Sequence, residues 1–187
     1  MFDDYFDLFK YILGGETEGI SILSLSVLII IEAVLIFLSA VIVNKKRKIS
    51  YRKMLHLFLI VAYLTVILTF TILRRPVGSK VGEVYLNLDL GFGLRGYTPS
   101  FWSSTMSILN IILFIPWGFL VCPFLKIKKL YLRIFISTII GMITSVLIEN
   151  YQLLSSTGRF EVTDIVTNTY GTLVGAVIAA IVFKKKI

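Results

Sequence analysis

The chain has 187 residues, 57% of them apolar and 16% charged, with a mean hydropathy of +0.88. That balance excludes an ordinary soluble domain and makes a bilayer the expected solvent. The net charge of +8 does not point to nucleic acid, because the basic residues cluster at the ends of apolar runs, where membrane topology accounts for them.

Residues 1–19 carry Asp3, Asp4, Asp7, Glu16 and Glu18 against Lys10 alone, which is not the basic start of a cleaved signal. Five apolar runs follow: Ile20 to Val43, Leu55 to Leu73, Met106 to Leu125, Leu130 to Leu154 and Val162 to Phe183. Each is long enough, at about 1.5 Å per residue, to cross about 30 Å of hydrocarbon. Helices are expected for all five, since lipid cannot satisfy the open backbone groups of irregular chain. The fold class is therefore all-α, a polytopic transmembrane helical bundle of five spans. Localisation is the cell membrane, as a multi-pass protein.

Lys45, Lys46, Arg47, Lys48, Arg52 and Lys53 lie between the first two runs; Lys126, Lys128, Lys129 and Arg133 lie at the next such turn, and Lys184, Lys185 and Lys186 close the chain. None of these segments holds an acid. The positive-inside rule then places the N-terminus outside and the C-terminus in the cytoplasm. The organisation follows: 1–19 as an extracytoplasmic segment, 20–53 as the first span and its basic cytoplasmic loop, and 54–187 as the membrane domain proper. The connection 74–105 is expected to be an extracytoplasmic loop, re-entrant or lying in the headgroup layer. It carries Pro76, Gly78, Gly82, Gly91, Gly93, Gly96 and Pro99, and Tyr85, Phe92, Tyr97, Phe101 and Trp102 suit an interface.

Three acids stand within apolar runs, where an ionisable group is costly unless paired: Glu32, Glu149 and Asp164. Gly141, Ser145, Glu149 and Gln152 fall at helical spacing on one face of the fourth run. Asp164, Asn168, Gly171, Gly175 and Ala179 do the same on the fifth, so the two faces are expected to pack as a hairpin through the small residues. Glu149, Gln152, Arg159, Asp164 and Asn168 would then converge near the outer boundary, joined by Asn110 from the third run. Burial suits Glu149 to act as an acid or base, and Arg159 offers a planar fork for phosphate or carboxylate. Two acids alone are a weak signal for Mg²⁺ or Ca²⁺, and no metal ligand is assigned. The alternative is a structural network of ion pairs and amides that closes a loop. Pro116 and Gly118 are expected to kink the third span, His56 to be incidental, and Glu32 to be either a proton relay or a helix-pairing group. Cys122, the only cysteine, excludes an internal disulfide and a cysteine metal cluster.

Asn110-Ile-Ile-Leu-Phe-Ile-Pro-Trp-Gly118, Glu149-Asn-Tyr-Gln152, and the stretch Gly158-Arg-Phe-Glu-Val-Thr-Asp164 continuing through Asn168 and Gly171 to Gly175 resemble the signature of VanZ-like membrane proteins. The resemblance covers spans two to five, leaving span one and Glu32 outside it. It implies a contribution to resistance against glycopeptide antibiotics such as teicoplanin at the outer face of the membrane. The family's polar residues are similar to those of membrane enzymes that act on lipid head groups or lipid-linked cell-wall precursors. On that reading Glu149 and Asp164 are catalytic, and Asn110, Gln152, Arg159 and Asn168 bind substrate. The partners are membrane lipids and a lipid-linked precursor, with no nucleic acid. The residues specify no cofactor or oligomeric state, and they leave open whether any reaction occurs. A non-catalytic protein that binds or shields precursors is the alternative; a small transporter fits less well, since there is no inverted repeat. Ser155 and Ser156 lack a neighbouring His, so covalent catalysis is not expected.

Overall fold

The computed structural model describes residues 2–44, 50–80, 82–93 and 100–183. The basic residues Lys45, Lys46, Arg47, Lys48, Lys184, Lys185 and Lys186, and the loop residues Gly96, Tyr97 and Pro99, lie outside the described residues.

The first helix was not among the sequence expectations. Helix α1, Phe2–Thr17, occupies the acidic N-terminal segment and buries Ile12. Gly19, in a left-handed conformation at φ 80°, ends it in a turn against the Arg74 carbonyl, where a Cβ would sit 2.4 Å from that oxygen. Helices α2 (Ile22–Asn44), α3 (Tyr51–Leu68), α4 (Phe101–Phe124), α5 (Leu130–Leu154) and α6 (Val162–Val182) match the five apolar runs to within a few residues. All five are long and apolar enough to cross a membrane. Helix α3 continues into a π-helical turn, Thr69–Leu73, in which Thr69 and Thr71 each donate a hydroxyl to the carbonyl four residues back, at 2.8 Å. Two-residue strands β1 (Val84–Tyr85) and β2 (Phe160–Glu161) pair in parallel, with Val84 opposite Phe160.

The frame is α4 against α6, with α5 closing over both. Small residues set that closeness. A Cβ on Gly171 would lie 2.3 Å from the Ile111 carbonyl oxygen, and one on Gly175 would lie 1.8 Å from that of Ile115. Gly118 of α4 approaches the Thr172 backbone in the same way. The expected α5–α6 hairpin forms, but Gly171 and Gly175 do not mediate it: they seat the backbone of α4. The adjoining stripe of α6 faces α5, where Thr172 fills the space above Gly141 and Asn168 reaches Ser145. Sequence adjacency made α5 the obvious partner, but a helix with small residues on two neighbouring stripes can serve two partners. Helix α4 runs unbroken through Pro116 and Pro123. Ile67, Phe114, Trp117, Val121 and Ile148 form the apolar core beneath this frame.

Helix α2 is peripheral. Most of its large apolar side chains are exposed, and its contact with α3 includes Glu32, whose carboxylate accepts a hydrogen bond from the Thr65 hydroxyl. His56 is engaged at one end of the bundle, with Nε2 2.8 Å from the Leu120 carbonyl and its ring edge-on to Phe124. That end also carries Arg52, Lys53, Lys126, Lys128 and Lys129. The opposite end, where α3 stops and α4 and α6 begin, holds the acids.

Candidate functional site

At the acid-bearing end, α1, α3, the loop before α4, and the ends of α4, α5 and α6 enclose a cavity of about 1020 Å³. All six residues singled out from the sequence line it: Asn110, Glu149, Gln152, Arg159, Asp164 and Asn168.

Helix geometry explains how they meet. Asn110 lies on the turn of α4 facing the first turn of α6, and its Nδ2 donates to Asp164 Oδ1 at 2.8 Å. Glu149 is one turn from the end of α5 and only 2% exposed; its Oε2 accepts the backbone N–H of Glu161 at 2.9 Å, just where β2 hands over to α6. One carboxylate oxygen thereby fixes the tight connection between two spans. Gln152 Nε2 donates to the Thr71 carbonyl at 2.9 Å, a group the π turn leaves facing inward. Asn168 Nδ2 donates to Ser145 Oγ at 2.9 Å, while its Oδ1, buried, has no partner among the described residues. The buried hydroxyl of Ser107, also in the cavity wall, is likewise unpartnered.

Arg159 lies at the rim. Its side chain is half exposed, Nε sits 2.9 Å from Glu83 Oε2, and the guanidinium stacks over the Tyr85 ring at 5.1 Å. The hydrogen bond from Tyr85 to Glu83 raises the Tyr85 phenol above its ordinary value, with the nearby Arg159 charge opposing that rise. The loop reaches the site through Thr163, whose Oγ1 takes the Asp89 N–H at 3.1 Å.

Sequence reasoning missed two residues of the wall, Arg75 and Lys80. Arg75 follows the π turn and is the most enclosed cation of the cavity, its side chain 19% exposed. Burial pulls its guanidinium below the usual arginine range, Arg74 pulls the same way, and Glu16, Asp164 and Glu149 oppose them. Burial likewise lowers the Lys80 ammonium, with Arg75 as the next cause. A signal for Arg75 lay in the sequence: Arg74 and Arg75 form a consecutive basic pair at the boundary that the positive-inside rule assigns to the outside, where cations need a local reason.

The cavity is amphiphilic. Glu149, Asp164, Asn168 and Arg75 line one part, and Tyr63, Leu109, Ile112, Leu113 and Pro116 line another. Among the described residues no group of three or more His, Cys, Asp or Glu is arranged to hold a metal ion.

The fold and site thus define a multi-pass helical membrane protein with a buried polar chamber at one end of its bundle. The model of the VanZ/LLP1 family matches residues 24–183, and the chain belongs to that family. The match extends over most of α2, beyond the spans that carry the sequence motifs. Comparison with curated proteins and with solved structures gave no match. The chain is therefore a VanZ-like membrane protein, of a family linked to antibiotic resistance in general, and its apolar helices contact lipid.

Proposed function

We propose that the chamber receives the head group of a lipid, at the outer face of the membrane, and that this activity underlies a contribution to glycopeptide resistance of the teicoplanin type. The observation that carries the reading is a single cavity joining the buried Glu149 and Asp164 to an apolar wall of α3 and α4. An amphiphile has that division. Its head group would meet Asn110, Gln152 and Asn168 inside and Arg159 at the rim, while its chain would lie along Tyr63, Ile112, Leu113 and Pro116.

In this reading Glu149 and Asp164 transfer protons at the head group. Both carboxylates stand in a closed site where a fixed hydrogen bond orients one oxygen of each, which leaves the second oxygen to face the chamber. Lipid-linked cell-wall precursors are the substrate class that would connect such chemistry to glycopeptides, which act on those precursors. The gathering of described cations such as Lys53, Lys126, Lys128 and Lys129 at the other end supports an outward-facing acid-bearing end.

The test is turnover of labelled phospholipids and lipid-linked precursors by the purified protein, wild type against Glu149→Gln and Asp164→Asn. Each variant keeps shape and hydrogen bonding but removes a proton-transfer group, so loss of about a hundredfold or more in turnover is expected. Unchanged turnover in Glu149→Gln removes Glu149 from the mechanism. A chamber that binds lipid without converting it, together with resistance that survives Glu149→Gln, leaves the shielding role.

A further inference from the structure

We infer that the anion-binding part of this chamber is Arg75 assisted by Lys80, that it takes the phosphate of a lipid head group, and that Glu16 on α1 occupies its approach until the ligand enters. The inference rests on the lipid-head-group reading above and adds to it the substrate class and the residue that recognises it.

Two consecutive arginines end the π turn, and the structure gives them different work. Arg74 is fully engaged: Nε donates to the Phe70 carbonyl at 2.6 Å, Nη1 to the Gly15 carbonyl at 2.7 Å, and Nη2 pairs with Glu16 Oε2 at 2.5 Å. It pins the end of α1. Arg75 makes one long contact, from Nη1 to the Thr157 carbonyl at 3.5 Å, and its Nη2 stands 3.9 Å from Glu16 Oε2. A guanidinium carries five N–H donors in a planar fork, so among the described residues most of this one's capacity is unmet while it faces the cavity.

The chain makes room for that side chain. A Cβ on Gly158 would lie 3.0 Å from Arg75 Nη1 and 3.1 Å from Gln152 Oε1. Lys80 is brought to the same mouth by two backbone hydrogen bonds onto the end of α5, Gly78 N–H to Ser155 O at 3.0 Å and Lys80 N–H to Ser156 O at 2.8 Å. Arg74, Arg75 and Arg159 all lie within electrostatic reach of Lys80, and like charges gathered in a partly buried mouth repel unless an anion stands among them. Glu16 is the carboxylate at that place. Arg159 is the lesser candidate for the same task, being committed to Glu83 and Tyr85.

The interior fits the rest of such a ligand. Asn168 Oδ1 and Ser107 Oγ are buried polar atoms without a partner among the described residues, of the kind that is costly to leave unsatisfied. The residues that bear them line the cavity with Asp164. A small opening of the wall would bring them to the hydroxyl groups beside a phosphate, as in a glycerol or sugar phosphate. Glu16, 28% exposed and borne on a short helix, is placed to be displaced by the entering phosphate.

The experiment uses the full chain in a neutral maltoside detergent and titrates dodecyl phosphate, following tryptophan fluorescence because Trp102 lines the chamber. Saturable binding is expected. Arg75→Gln should weaken it about tenfold or more, as loss of hydrogen bonds to a charged group does, with Arg75→Lys falling between and Arg159→Gln costing less. Glu16→Gln should tighten binding several-fold by removing the competing carboxylate, an effect that a merely structural Glu16 would not produce, while Lys10→Gln on the same helix should change nothing. Wild-type affinity in Arg75→Gln, a larger loss in Arg159→Gln, or no gain in Glu16→Gln overturns the inference. If Arg75→Gln does not fold, the Glu16→Gln result still decides it. Dodecyl phosphate bound independently of Arg75 leaves the lipid reading standing and removes the subsite. Inorganic phosphate bound as tightly as dodecyl phosphate, through Arg75, leaves the subsite and removes the lipid reading.

Discussion

The two ends of the bundle hold cavities of similar size, about 1020 Å³ at the acid-bearing end and about 920 Å³ at the lysine-bearing end, and they differ in what their polar groups are doing. The lysine-end groove is lined by Leu35, Ile36, Leu57, Pro123 and Phe124, and its uncharged polar residues are engaged within the protein: His56 on the Leu120 carbonyl, Ser39 on the Leu35 carbonyl. In the wall of the acid-end chamber an amide oxygen, a hydroxyl and most of a guanidinium have no partner among the described residues. Volume alone does not separate a site from a gap between helices. Buried polar groups left unmet on residues of a cavity's wall do, because the protein bears their desolvation without a return in stability.

The largest expected effect would break the frame both cavities share. Gly175→Leu drives a side chain into the α4 backbone and should cost about 3 kcal/mol or more, read as loss of a monodisperse peak and a lowered melting temperature. Gly14→Leu, where a Cβ meets nothing within 4 Å, should leave both unchanged. A smaller effect would separate the ends. Asn110→Ala strands the Asp164 carboxylate and should destabilise by about 1–3 kcal/mol while also weakening binding of dodecyl phosphate. His56→Ala at the other end should lower the melting temperature by the worth of about one hydrogen bond and leave that binding intact.

A pH titration sharpens the comparison further. The folded-state pKa of Lys80 lies below the ordinary lysine value, so its ammonium attracts phosphate at neutral pH and is lost as pH rises through that lowered value. Binding of dodecyl phosphate should therefore weaken at alkaline pH before ordinary lysines titrate, and Lys80→Arg should flatten the profile. The smallest effect belongs to the rim: Glu83→Ala removes a half-exposed ion pair and should change stability by no more than about 1 kcal/mol in a thermal melt.

The spans were legible because lipid enforces one solution for a long apolar run, and α5 was found residue for residue. The acid pair was legible for a related reason, since Glu149 and Asp164 interrupt apolar runs at helical register with amides. Partner choice was not: the glycine stripe of α6 announces a close approach without saying which helix approaches. Helix α1 hid behind its charges, although Phe6, Phe9 and Ile12 fall at steps of three along its length. Arg75 hid because a loop residue's role depends on how the π turn aims it, and no sequence period encodes that.

The most direct measurement is photocrosslinking of the purified protein with a phospholipid that carries a diazirine high on its acyl chain, with the labelled residues mapped by mass spectrometry. Labelling concentrated on Ile112, Leu113 and Pro116, and reduced by Arg75→Gln, is the predicted result. Labelling confined to Leu35, Leu57 and Phe124, or spread along the exposed face of α2, would contradict the claim that the acid-bearing chamber is the lipid site.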